Sequence, residues 1–311
     1  MNNLREVITD LTPGGKLVYL LLACMLSWLI ATLFVFSTVP VFFGYSFSQI
    51  PNLITDASSA SSRYVMMYLQ GGSSLGLFVG GAIIYGYFAE TYQSVWYNWS
   101  SQDPTFSTWG TFLGIIVLLG MLPMVSFLEQ VNQSVPFPEF MSGISNALQQ
   151  RQDVLTEQLE VLLHIESAAD FLLATVVLAV IPAVGEEWIF RGKLQGLLQR
   201  LSGSAHGGVW ITSFLFAIFH QQFFAVLPMM FLALFLGYVY AYTRSLWTVV
   251  AIHFANNFTS LVFVYLNGEG INYEPDIPSW IYLASGSLIT GMVTLLIFHW
   301  RKLGVYGLRK Y

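Results

Sequence analysis

Apolar positions along this chain come in long blocks, not in short alternations. Nearly continuous apolar runs cover about 17–43, 66–88, 111–128, 168–184, 209–226, 229–243, 246–266 and 280–300. A helix rising about 1.5 Å per residue needs roughly 20 residues to cross the hydrocarbon core, and most of these runs approach that length. The pattern predicts an all-α, polytopic membrane helix bundle of about eight transmembrane helices. They would form a single integral membrane domain over 1–311. The first run is read as a retained helix: it follows a polar start without a basic n-region and is too long for a signal peptide. The second carries Gly71, Gly72, Gly76, Gly80, Gly81 and Gly86, a composition suited to close helix contact in lipid. Between the third and fourth runs, 129–166 is the most polar stretch. Ile144, Leu148, Leu155, Leu159 and Leu162 share one helical stripe there, which predicts an amphipathic connecting helix.

Composition sharpens the class. Only 9% of residues are charged, against about 25% in soluble domains, and hydrophobic types make up 55%. An ordinary soluble enzyme and a disordered chain are both excluded. The net charge of −5 and the lack of any basic run leave no footprint for nucleic acid. The single Cys24 excludes an internal disulfide and a cysteine-based zinc site. Lys and Arg gather at alternate span ends: Arg5 and Lys16, then Arg191, Lys193 and Arg200, then Arg244, then Arg301, Lys302, Arg309 and Lys310. The positive-inside rule predicts a multi-pass protein of the cell membrane, with both termini and this side of the bundle facing the cytoplasm. Arg63 and Arg151 run against the rule. The Asn98 sequon would then face the cytosol, where it is idle.

Ionisable groups inside an apolar span are costly, so each points to function. Glu186 and Glu187 stand together at the end of the fourth run, and Arg191 follows Glu187 by four residues, on the same helix face. That pairing would leave Glu186 about 100° around the helix. A carboxylate with little water and no counter-ion can accept a proton near neutral pH. The same residues would also serve as a solubilising cap at a helix end. Pro182 removes a helical hydrogen bond just before them. His220 lies in the fifth run, and His253 and Asn257 stack on one face of the seventh. A base, a partner for water and two donors suit amide hydrolysis. Helix counting sets these groups at unequal depths: His220 about 18 Å in, His253 about 10 Å in, Glu186 near its span end. Agreement would require the fifth span to begin outside the membrane, or a water-filled cavity reaching inward. His164 and His206 read as solvated, His299 as an interface anchor and Asp170 as the outer start of the fourth span.

The order Glu-Glu-x-x-x-Arg, Phe-x-x-x-His and His-x-x-x-Asn on successive helices, over 168–260, resembles the CPBP family. This group includes CAAX prenyl proteases of the Rce1 type and bacteriocin-processing membrane proteins. The resemblance implies an eight-helix intramembrane endopeptidase with an active-site cavity in the membrane. It implies Glu186 as general base acting with His220 on a water, Glu187 and Arg191 as a supporting pair, and His253 and Asn257 as the oxyanion-stabilising face. Phe216 would be a packing residue. The expected partners are the lipid bilayer and a peptide or protein substrate, with its lipidation left open. No cofactor is expected. A zinc-dependent protease with Glu186, His220 and His253 as ligands is one alternative. A scaffold or transporter without chemistry is another; no repeat between halves supports it.

Overall fold

The computed structural model describes residues 2–55, 60–90, 104–267 and parts of 281–291. Among them every regular element is helical. Helix α1 (Asn2–Thr9) precedes α2 (Pro13–Phe43), which Thr12 caps by accepting from the Gly15 amide. A short α3 (Ile50–Thr55) leads to α4 (60–89), which is continuous through a π turn at Leu75–Gly80. Then come α5 (Pro104–Ser134), α6 (Ser142–Leu163), α7 (Ala168–Ser202), α8 (Ala205–Phe219), α9 (Val226–Thr243) and α10 (Leu246–Asn267).

Six described helices are long and apolar enough to cross a membrane: α2, α4, α5, α7, α9 with its preceding turn, and α10. The bundle is inside-out by soluble standards. Leu22, Met25, Ile30, Leu33 and Phe34 of α2 are more than half exposed, as lipid-facing residues are. The chain is a multi-pass membrane protein. Two of the eight expected spans are not among these six. The fifth span, α8, has only 15 residues. The eighth, 280–300, falls mostly outside the described residues, as do Asn98, His299 and the basic C-terminal residues.

The fourth span does not end near 184. Helix α7 runs 35 residues, to Ser202. Its polar last turns found partners that hydropathy could not reveal: Gln195 Nε2 donates to the Gly237 carbonyl at 3.1 Å, and buried Lys193 pairs with Glu90. Glu186 is therefore mid-helix, 16 residues and about 24 Å from Ser202. His220 lies 15 residues, about 22 Å, beyond Ala205. Helix α10 starts deeper: Leu246 packs on Gly192, where a Cβ would lie 3.2 Å away. The three depths agree once the helix ends are known.

Polar surroundings also explain Arg63, one of the two residues that opposed the charge rule. Arg63 is 2% exposed, 3.1 Å from Asp170, and donates to the His164 carbonyl. Asp170 forms a capping box with Ser167 and accepts from Tyr64 Oη at 2.7 Å. It is a buried tie between α4 and α7, more than a helix start. His164 is exposed, and pairs with Glu166 at 3.2 Å. His206 is also exposed, in the first turn of α8, and its Nδ1 lies 3.0 Å from Tyr238 Oη. In the connecting helix α6, Leu162 of the predicted stripe is buried, while Ile144 is 54% exposed. Only the end of the helix nearer α7 joins the core.

The small residues of α4 let it press on α2. A Cβ at Gly76 would sit 2.2 Å from the Ala31 methyl and 3.0 Å from the Ser27 carbonyl oxygen. Gly76→Ala is expected to destabilise the bundle by about 1–3 kcal/mol. Gly143→Ala, with nothing within 4 Å, should be neutral or mildly stabilising. Thermal unfolding of both variants in detergent checks the contrast.

Candidate active site

Helix α7 carries its two glutamates between irregular turns. A π turn at Thr175–Val180 precedes Pro182, so the missing proline N–H falls where the hydrogen-bond ladder is already widened. A second π turn covers Phe190–Leu194, with the Gln195 amide bonded to the Phe190 carbonyl. Gly185 faces α4, where a Cβ would lie 2.7 Å from Phe78 Cβ. The first half of the chain thus presses directly on the glutamate-bearing turn.

Glu187 and Arg191 pair as their spacing predicts. Arg191 Nη1 donates to Glu187 Oε1 at 2.6 Å, and both side chains are fully buried. Arg191 Nη2 donates to the Ala233 carbonyl of α9 at 3.0 Å, and the guanidinium lies over the Phe216 ring of α8 at 4.9 Å. His253 of α10 places Nδ1 2.7 Å from the same Glu187 Oε1. One carboxylate oxygen therefore gathers a cation and an imidazole, and through Arg191 reaches two further helices.

Glu186 is left differently. Its Oε2 is buried without a hydrogen-bond partner among the described residues. It lies 3.8 Å from His220 Nε2 and 3.9 Å from His253 Nε2. His220 is not inside a helix: it caps α8, and its Nδ1 donates to the Phe216 carbonyl at 2.8 Å. Both imidazoles therefore commit Nδ1 to an acceptor and turn Nε2 toward Glu186. Atoms 3.8 Å apart are too far to bond each other, but one water oxygen can lie about 2.8 Å from both. A tetrahedral metal about 2.1 Å from each ligand would want them roughly 3.4 Å apart. Among the described residues no cluster of His, Cys, Asp or Glu is arranged to hold a metal ion.

Beside the imidazoles is a cavity of about 210 Å³. His220, His253, Asn256 and Asn257 supply its polar wall, and Leu118, Met229, Leu232, Leu236 and Ile252 much of the apolar one. Glu186 is not on that wall; the imidazoles are common to both places. Glu186, Glu187, Arg191, His220 and His253 are joined by the contacts above, and Asn257 shares the cavity wall with the two imidazoles. Two contributions were missed. Asn256 Nδ2 donates to Asn257 Oδ1 at 3.2 Å, orienting its amide. Phe216 packs, as expected, but on the site itself: its ring lies 4.5 Å from that of His220 and 6.1 Å from that of His253. Helical spacing hinted at the Phe216–His220 contact alone.

Residues 168–259 match the family described as Rce1-like, type II CAAX prenyl endopeptidase. No curated protein and no solved structure matches the chain.

The buried pair yields a stability test. Arg191→Met would leave the Glu187 carboxylate without its cation, costing about 3–5 kcal/mol. The double variant Glu187→Met, Arg191→Met should regain most of that loss. Unfolding midpoints of the three proteins in detergent check the pattern.

Proposed function

We propose, from the premise that residues 168–259 are an Rce1-like domain and the chain a membrane peptide-bond hydrolase, that Glu186 activates the attacking water. The observation that carries this reading is the partnerless Glu186 Oε2, facing two imidazole Nε2 atoms at 3.8 and 3.9 Å. Water held between Glu186 and His220 gives its proton to the carboxylate as its oxygen attacks the scissile carbonyl carbon. The carbonyl electron pair moves onto oxygen. His253 and Asn257 donate to that oxyanion from the cavity wall. The intermediate then collapses, the C–N bond breaks, and the proton passes from Glu186 to the leaving amine.

In this reading His253 holds Nδ1–H on Glu187 at 2.7 Å and offers Nε2–H to the oxyanion, so its ring carries both protons when it donates. Three acceptors facing one water would otherwise compete for its two hydrogens. One observation favours the zinc alternative: Nδ1 of each imidazole is held by an acceptor, as in metal sites. The ligand separations argue against it.

The substrate in this reading is a peptide presented at the membrane, with the isoprenoid-bearing terminus that the family description names. The predominantly apolar cavity wall suits it. The basic residues Arg200 and Arg244 close one end of the bundle, and the charge rule turns that end to the cytoplasm of the cell membrane. Glu186→Gln keeps the shape and removes the base. In proteoliposomes with a CAAX-type reporter peptide it should lower kcat by about 10²–10⁴ while KM changes little; full activity would overturn the mechanism. Activity lost to a strong chelator and restored by zinc would favour the metal reading.

A further inference from the structure

His220 caps the end of α8, and its placement depends on what holds the chain just after it. The connection to α9 is brief. Gln221 takes a left-handed backbone conformation, φ 57°, which a residue with a side chain seldom adopts. Its amide bonds to the Ile218 carbonyl at 3.0 Å, and a single turn at Phe223–Ala225 leads into α9. Phe224 packs on Phe137, ring centroids 6.2 Å apart, but among the described residues nothing within so short a connection ties its main chain to another helix.

Asn132 does. It lies near the end of α5, outside the segment matched to the family, and is half-buried. Its Nδ2 donates to the Phe223 carbonyl at 3.0 Å, and its Oδ1 accepts from the Leu227 amide at 2.8 Å. The partners, one acceptor and one donor, leave a single orientation for the side-chain amide. Leu227 is in the first turn of α9, where backbone N–H groups have no partner inside the helix. Asn132 therefore caps α9 from another helix and grips the connection three residues after His220. Arg151 of α6 adds a contact at 3.1 Å to Gln221 Oε1, but it is exposed and adjustable.

We propose that Asn132 is a positioning residue for His220, holding the end of α8 so that Nε2 stays at the water-sharing distance from Glu186. The inference rests on the glutamate-activated water proposed above. It gives the first half of the chain a part in the reaction. A shift of about 1 Å at a reacting group can cost up to a hundredfold in rate, so loss of the grip should show in turnover before it shows in binding.

The test uses the full chain in bilayers with the CAAX-type reporter peptide, below the unfolding midpoint of every variant. Asn132→Ala should lower kcat about tenfold or more with KM within about twofold. Asn132→Asp, which keeps the acceptor at the α9 N-terminus, should recover part of the loss. Tyr64→Phe removes the hydrogen bond to Asp170, remote from the site, and serves as the stability control. The proposal is overturned if Asn132→Ala turns over at the wild-type rate, or falls no further than Tyr64→Phe. Full activity of Glu186→Gln would instead overturn the mechanism beneath it.

Discussion

One buried oxygen atom organises the site. Glu187 Oε1 accepts from Arg191 at 2.6 Å and from His253 at 2.7 Å, where solvent does not reach. A carboxylate in that position is tolerable only because both partners are present. Meeting its need brings α7 and α10 to a fixed distance, and Arg191 extends the constraint to α9 through the Ala233 carbonyl and to α8 through the Phe216 ring. Glu186, the preceding residue, is turned away from this cluster by the helix itself. Glu187 Oε1 takes both the cation and the imidazole, while Glu186 Oε2 and Glu187 Oε2 have no hydrogen-bond partner among the described residues.

The remainder of the fold supports that division. The glycines of α4 bring the first half close enough for Phe78 to pack on Gly185. The Arg63–Asp170 pair fastens α4 to the start of α7, and Lys193–Glu90 fastens it farther along. Helix α7 is thus held to α4 on both sides of the glutamates. The π turns on either side of Glu186 and Glu187 adjust the helix register locally, a device often found where a helix carries function.

Much of this was legible in the sequence because charge is rare in it. Glu186, Glu187 and Arg191 stood out against an apolar background, and a spacing of four implied the pairing that is found. His220, His253 and Asn257 were legible as polar residues in apolar runs, and the order of three motifs joined them. Helix ends were harder to read. Residues 185–202 become polar, so hydropathy ended the fourth span too early, and the depths of the site residues seemed to disagree. Gln195 and Lys193 were satisfied by the Gly237 carbonyl and Glu90, partners distant in sequence. The π turns have no composition of their own. Asn132 makes two hydrogen bonds to main-chain atoms more than 90 positions away, and no local pattern marks it.

In the proposed mechanism Glu186 and His220 share a water and not a metal. A high-resolution crystal structure with anomalous scattering collected at the zinc edge distinguishes the two. An oxygen-sized peak is expected about 2.8 Å from Glu186 Oε2 and His220 Nε2, with no anomalous signal. An anomalous peak about 2.1 Å from Glu186, His220 and His253 would contradict that mechanism.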